Sequence, residues 1–236
     1  MCGLVGVVGR GPQLVPARAC SILSHRGPDD GAMVSGDGYA LGFRRLAILD
    51  LSLAGRQPMC SEDGACYLVF NGEIYNYLEL RKELETRGEV FRGHSDSEVL
   101  LTLLRLDGSR ALDRLNGMFA FCFVDLRTRR FLIARDRIGV KPLYFSRLPG
   151  SIRFASELKA LLAWPGAGRD LDLGATATYL ALGQVTGARS ILAGYEKLLP
   201  GHFLAGSLDE PDLARSTRYW LVEVGAGSGD DIMEVF

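Results

Sequence analysis

The run Phe119-Ala120-Phe121-Cys122-Phe123-Val124 alternates bulky with small side chains, and Phe131-Leu132-Ile133-Ala134 answers it after a polar turn. Side chains of a strand point alternately to its two faces, so a period-two run that returns across a turn is a hairpin. Other segments repeat the theme. Residues 1–9 read as a buried strand thinned by glycine at 3, 6 and 9, where another group packs close to the backbone. Residues 39–43 and 46–49 read as two strands joined through Arg44 and Arg45, and residues 67–70 as a strand stopped by Asn71-Gly72. Short strands are expected at 143–145 and 152–154.

Helical signals are fewer. A short helix follows Pro16, and another is expected over 76–86, with Asn76 as its cap and Glu79 three residues on. Ser95-x-x-Glu98 opens a third over 96–106, with Val99, Leu100, Leu103 and Leu104 on its apolar face, and a fourth lies near 157–162. Strands in meanders with a few helices, and no regular β-α alternation, predict stacked antiparallel sheets carrying helical layers, an α+β class. Beyond residue 204 the character changes. Stretches 206–212 and 225–231 are rich in Gly, Ser and Asp, so one domain over 2–205 is expected, followed by a tail or linker over 206–236.

The composition narrows the function classes. A net charge of −1 with no basic block argues against a nucleic-acid partner. No apolar run approaches the roughly 20 residues of a membrane span, and no charged region precedes the short apolar run at 4–8 as a secretory signal requires. The five cysteines are odd in number, irregular in spacing and without a Cys-x-x-Cys pair, which argues against a disulfide framework or zinc site and for a reducing cytoplasm. His25, His94 and His202 are scattered among turn residues, so no metal is expected.

Cys2 follows the initiator methionine. With Met1 trimmed, it would carry a thiol and a free α-amine on one residue. An α-amine has a pKa of roughly 7.7–8.0 and can serve as base for its own side chain. The plainer reading is a cysteine packed as a small hydrophobe. Asn71-Gly72 offers an amide side chain and a backbone N–H as oxyanion donors, yet Asn-Gly is also a common tight turn. Arg45 sits in an apolar stretch and suits a carboxylate, or else pairs at an edge with Asp50. Asp96, at a helix start, is either a favourable dipole contact or the partner of an ammonium group. Together Arg45 and Asp96 would hold both ends of an α-amino acid.

Several motifs in order resemble the class II glutamine amidotransferases, which are N-terminal-nucleophile hydrolases, and above all the glutaminase half of glutamine-hydrolysing asparagine synthetases. The string begins with Met1-Cys2-Gly3, His25-Arg26-Gly27-Pro28-Asp29, and Arg45 to Asp50. It continues through Gln57-Pro58, Phe70-Asn71-Gly72-Glu73-Ile74-Tyr75-Asn76, Ser95-Asp96-Ser97-Glu98 and Asn116 to Phe121. The stretches 134–144 and 155–161, Leu199-Pro200-Gly201-His202 and Tyr219-Trp220 carry it almost to the end. The resemblance implies a four-layer α-β-β-α sandwich, Cys2 as nucleophile, and Asn71 with Gly72 as oxyanion hole. It puts the glutamine carboxylate on Arg45 and the backbone of Arg45, Leu46, Ala47, Ile48 and Leu49. The α-amino group falls on Asp96, with Glu73 and Gly72 nearby. The His25–Asp29 loop would shape the pocket without a catalytic histidine, and 135–144 would be scaffold or domain interface.

The partners implied are L-glutamine and a synthetase domain or subunit that takes the ammonia, with a homodimer of the chain left open. The synthetase's Ser-Gly-Gly-x-Asp-Ser phosphate loop has no match in these 236 residues, and neither does a G-x-x-x-x-G-K-[ST] loop. No cofactor is therefore expected here, ATP and magnesium belonging to a synthetase domain outside this sequence. Three alternatives stay open: a non-catalytic glutamine-binding module, an amidotransferase half serving an acceptor other than aspartate, and a related hydrolase of another amide.

Overall fold

The computed structural model describes residues 1–46 and 55–222. Two antiparallel sheets form its centre. The first has five strands: β1 (Gly3–Pro12), β2 (Asp30–Arg45), β7 (Tyr144–Leu148), β8 (Ser151–Ala155) and β9 (Glu196–Lys197), in the order β2-β1-β8-β7-β9. The second has six: β3 (Met59–Cys60), β4 (Cys66–Ile74), β5 (Gly117–Asp125), β6 (Arg130–Arg135), β10 (His202–Ser207) and β11 (Arg215–Arg218), in the order β11-β10-β6-β5-β4-β3. Helices cover the outer faces. α2 (Tyr77–Thr86), α3 (Asp96–Asp107) and α4 (Ala111–Arg114) lie on the six-stranded sheet, and α1 (Ala17–Ser21) and α5 (Leu158–Leu161) on the five-stranded one.

The alternation in β5 has a direct structural reading. Phe119, Phe121 and Phe123 face the helices, packed with Leu84, Leu100 and Leu104, while Ala120, Cys122 and Val124 face the other sheet. The inter-sheet gap also takes Val69, Leu41, Phe43 and Phe154. Each large apolar side chain buried this way contributes about 1.5–3 kcal/mol, the upper end for the phenylalanines. A third apolar layer, Val5, Val7, Ala19, Leu23, Leu161 and Trp164, fills the space between the five-stranded sheet and its helices. Three apolar layers between four layers of structure make the α-β-β-α sandwich.

The glycine spacing in β1 works as expected. A Cβ on Gly6 would come within 2.3 Å of Phe154 Cζ, so the aromatic ring occupies the space a side chain would need.

Several boundaries differ from the sequence reading. Asn71-Gly72 does not end a strand: β4 runs on to Ile74, with Asn71 opposite Ala120 and Gly72 opposite Phe119. The strand expected at 39–43 is the end of a longer one, β2, which runs on through Arg44 and Arg45; residues 47–49 of the second expected strand lie outside the described residues. Asn76 does not cap α2. Its Nδ2 donates to Arg114 O at 3.0 Å and its Oδ1 accepts from Asn116 N at 3.0 Å, tying the helix start to the approach of β5. Ser95 does cap α3, accepting from Glu98 N at 3.3 Å, but Glu98 reaches Arg92 N and Gly93 N rather than back to residue 95. The six-stranded sheet also continues past residue 205, because Leu208 and Ala214 are buried in the inter-sheet core and draw β11 onto its edge. α6 (Leu173–Leu182) was not foreseen. It is capped by Asp172, which accepts from Ala175 N at 2.9 Å.

Candidate active site

Cys2 directly precedes β1 and is half-buried. Its backbone is anchored at two points. Arg26 Nε donates to Cys2 O at 2.9 Å. One residue pair further along, buried Ser156 accepts from Leu4 N at 3.1 Å through Oγ and donates its own N–H to Leu4 O at 2.9 Å. The Cys2 thiol lies 3.4 Å from Leu46 N and 3.6 Å from Leu46 O. Burial pushes the thiol above its ordinary range, and the Leu46 contact and the charges of the N-terminus, Arg45 and Lys141 offset this only in part. A thiol held up in this way needs a base close by to become a nucleophile.

Arg26 is itself held by Glu157, whose Oε1 accepts from Arg26 Nη1 at 2.7 Å. His25 Nε2 lies 2.8 Å from the same oxygen and Lys159 Nζ 3.0 Å from the other. Burial raises the Glu157 carboxyl, but hydrogen bonds from Arg26, Lys159 and His25 outweigh it and hold the group at about 2. Since the folded value lies below the unfolded one, the stabilisation is complete above the unfolded carboxylate range near 4.5 and is lost as pH falls towards 2. Glu157→Gln is expected to cost roughly 2–3 kcal/mol at pH 7 and progressively less between pH 4.5 and pH 2.5, read by urea denaturation at each pH. A cost independent of pH over that window would contradict the ion-pair account.

Asn71 enters from the second sheet. Alternation along β4 puts it on the inter-sheet face with Val69, which is the side from which Cys2 approaches. Asn71 is 1% exposed, and its Nδ2 has no hydrogen-bond partner among the described residues. Buried amide donors are nearly always satisfied, so an unsatisfied one marks a place where a ligand is expected. The neighbouring backbone is prepared in the same sense. Phe70 N donates to Gln57 Oε1 at 2.6 Å and Ile74 N to Asp96 Oδ2 at 3.0 Å, both on the edge away from β5. Amides alternate along a strand, so the Gly72 N–H between them points to that edge as well. A side chain is excluded at 72, since a Cβ would lie 2.2 Å from Met118 O.

Asp96 begins α3 and is 5% exposed. Burial pushes its carboxyl up. Hydrogen bonds from Ile74 N and Ser97 oppose this, and the charge of Glu73 adds to it. Arg45 ends β2, next to Arg44, which pairs with Gly3, so it stands beside Cys2.

One cavity of 260 Å³ collects these groups: Cys2, Arg45, Leu46, Asn71, Gly72, Glu73 and Asp96 all line it. Ala47, Ile48 and Leu49, named from the sequence as backbone contacts, lie outside the described residues. Three larger cavities, of 430, 460 and 410 Å³, contain none of these residues. The sequence reading gave no role to four further lining residues, Gln57, Ser97, Met118 and Lys141. Gln57 takes the place of a neighbouring strand, accepting from Phe70 N and donating to Phe70 O at 3.2 Å. Its only sequence signal was the Gln57-Pro58 pair, which says nothing about burial. In the 135–144 stretch, fully buried Asp136 accepts from the Lys141 N–H, and the stretch delivers Lys141 to the cavity.

The five cysteines are free. Among the described residues no group of His, Cys, Asp and Glu could hold a metal ion, and no helix is long and apolar enough to cross a membrane.

Two helix-covered antiparallel sheets, with a cysteine entering the inter-sheet cleft from the first strand, make up the sandwich of the N-terminal-nucleophile amidotransferases. The glutamine amidotransferase domain model matches residues 1–220, and the chain belongs to that family, in its class II branch. It is 38% identical over 231 residues to asparagine synthetase [glutamine-hydrolyzing] 3 of Bacillus subtilis, covering 94% of this chain and 37% of the relative. It is 41% identical over 167 residues to asparagine synthetase [glutamine-hydrolyzing] 2 of Arabidopsis thaliana, covering 68% of this chain and 28% of that protein. The chain thus spans about a third of the length of these relatives. Among solved structures, glutamine phosphoribosylpyrophosphate amidotransferase from B. subtilis superposes with a TM-score of 0.65 at 21% identity, covering 94% of this chain and 50% of that one. A structure described as the allosteric regulatory enzyme of purine biosynthesis gives 0.64 at 21% identity. These two likenesses concern the fold.

Proposed function

We propose that this chain is a glutaminase unit that hydrolyses L-glutamine to glutamate and ammonia through a thioester on Cys2, and passes the ammonia to an asparagine-synthetase-type partner. The observation that carries the reading is the unsatisfied, buried Asn71 Nδ2 in the cavity that also holds the Cys2 thiol, a guanidinium and a buried carboxylate. Arg45 binds the α-carboxylate of glutamine and Asp96, with Glu73 beside it, the α-ammonium. The γ-carboxamide then lies towards Cys2 and Asn71. Leu46, which lines the same cavity, supports the carboxylate end.

Removal of Met1 turns the Cys2 amide into an amine, which takes the thiol proton. Sγ bonds to Cδ and the carbonyl π pair moves to oxygen, where Asn71 Nδ2 and the Gly72 N–H receive it. Collapse re-forms the C=O bond and breaks C–N, and nitrogen leaves as ammonia with the proton from the amine. Water, deprotonated by the same amine, adds to the thioester; C–S breaks and glutamate departs. This half-reaction needs neither ATP nor magnesium, which serve acceptor activation on the synthetase unit. The amidotransferase domain in this reading takes in β11 and ends near residue 220, and five free thiols suit a reducing cytoplasm.

Glutamate and ammonia are expected in equal amounts from glutamine, with no release from an α-blocked glutamine. Asp96→Asn is expected to raise KM about 10- to 100-fold, the worth of a hydrogen bond to a charged group, with a smaller effect on kcat. Its Tm is expected not to fall, because burial opposes the charge it removes. An unchanged KM would remove Asp96 from the site. Stoichiometric turnover of an α-blocked amide would favour a hydrolase of another class.

A further inference from the structure

Lys141 lies between β6 and β7, is 7% exposed, and lines the cavity that holds Cys2. Its backbone is rigidly placed. Fully buried Asp136 accepts from Lys141 N at 2.9 Å and from Phe119 N at 3.2 Å through Oδ2, and from Val140 N at 2.9 Å through Oδ1. Phe119 is the register partner of Gly72, so one carboxylate fixes both Lys141 and the strand behind the oxyanion donors. The ammonium is another matter. It has no hydrogen bond or ion pair among the described residues, and Arg45 shares the same cavity. An ammonium on so buried a residue, paired by none of the described side chains, is placed to take an anion from the ligand.

Glutamine in its ground state does not supply that anion. Its carboxylate is matched by Arg45 and its ammonium by Asp96, and the γ-carboxamide is neutral. Lys141 lines the same cavity as the Cys2 thiol and Asn71, and its charge, like that of Arg45, acts on that thiol. At the γ-carboxamide the reaction makes two anions, the oxygen of the tetrahedral adducts and the γ-carboxylate of the product.

On the reading that Cys2 attacks glutamine, we propose that Lys141 is a further catalytic residue: its ammonium stabilises the oxyanion formed at Cδ and then holds the γ-carboxylate of glutamate. No proton leaves the ammonium in this step. When Sγ bonds to Cδ and the π pair moves to oxygen, Asn71 and Gly72 hydrogen-bond to that oxygen and Lys141 supplies a full positive charge nearby. Collapse discharges the oxygen. After water breaks the thioester, the new γ-carboxylate pairs with Lys141, so product release competes with this attraction.

The test compares Lys141→Met and Lys141→Arg with the unchanged chain, using glutamine as substrate and L-glutamate as inhibitor. Lys141→Met is expected to lower kcat about tenfold or more at nearly constant KM, and to weaken glutamate inhibition about tenfold. Lys141→Arg is expected to recover most of both. An unchanged kcat would overturn the proposal. So would a KM for glutamine and an inhibition constant for glutamate that rise by the same factor at constant kcat, since Lys141 would then bind the α-carboxylate. Should the methionine variant fail to fold, Lys141→Gln is read by the same criteria. Cys2→Ala run in parallel separates the two levels: if it still hydrolyses glutamine, the nucleophile reading falls, whatever Lys141 does.

Discussion

A Cys2→Ala chain is expected to fold, to bind glutamine and to hydrolyse none of it. The change removes one half-buried sulfur, so the cavity it leaves should cost no more than about 1 kcal/mol. Chemistry has no substitute for it in the cavity. The hydroxyls that line it are engaged: Ser95 caps α3, and Ser97 lies between Asp96 and Gln57. Loss of turnover with Tm retained separates a nucleophile from a packing residue. Wild-type turnover in the variant would return Cys2 to the plainer role of a small buried hydrophobe.

Asn71→Leu, nearly the same shape without the amide, is expected to lower kcat by about two to three orders of magnitude, or about 2.7–4 kcal/mol of transition-state stabilisation, with KM little changed. The sign of the stability change makes this prediction discriminating. Nδ2 is buried and unsatisfied, so removing it should leave Tm at or above that of the unchanged chain. A residue kept for the fold would show the opposite pattern, with Tm falling and kcat per folded molecule preserved. Finding that pattern would take Asn71 out of the oxyanion site and leave the Gly72 amide without its companion.

The layered fold was readable from β5 because its two faces meet different neighbours. Phenylalanines fit against helices and small residues between sheets, and a period of two survives in the sequence. Asn71-Gly72 misled because its residue types are those of a turn, while β5 pairs straight through it to Ile74. Here tertiary pairing overrides local preference. The first half of β2 gave no signal, since residues 30–37 alternate exposed with half-exposed positions and carry few apolar side chains. α6 was missed for the opposite reason: it is apolar nearly throughout, with only Ala175 buried, so it shows no helical stripe.

At the site, Cys2, Arg45, Asn71 and Asp96 could be named because each residue type sits where its neighbours make it costly or conspicuous. Which of two roles each one plays needed the cavity. Lys141 and Gln57 could not be found this way. Gln57 matters through its burial and its pairing with Phe70, 13 residues away, and Lys141 through its burial at the cavity, and a single sequence displays none of these.

The most direct test of the account is peptide mass mapping of the purified chain after reaction with a diazoketone analogue of glutamine, which alkylates the thiol that attacks it. The account predicts an N-terminus beginning at Cys2, one adduct on that residue, protection by excess glutamine, and no adduct in Cys2→Ala. A chain that keeps Met1 and takes up no label, or that is labelled at Cys60 instead, would contradict it and favour a module that binds glutamine without turning it over.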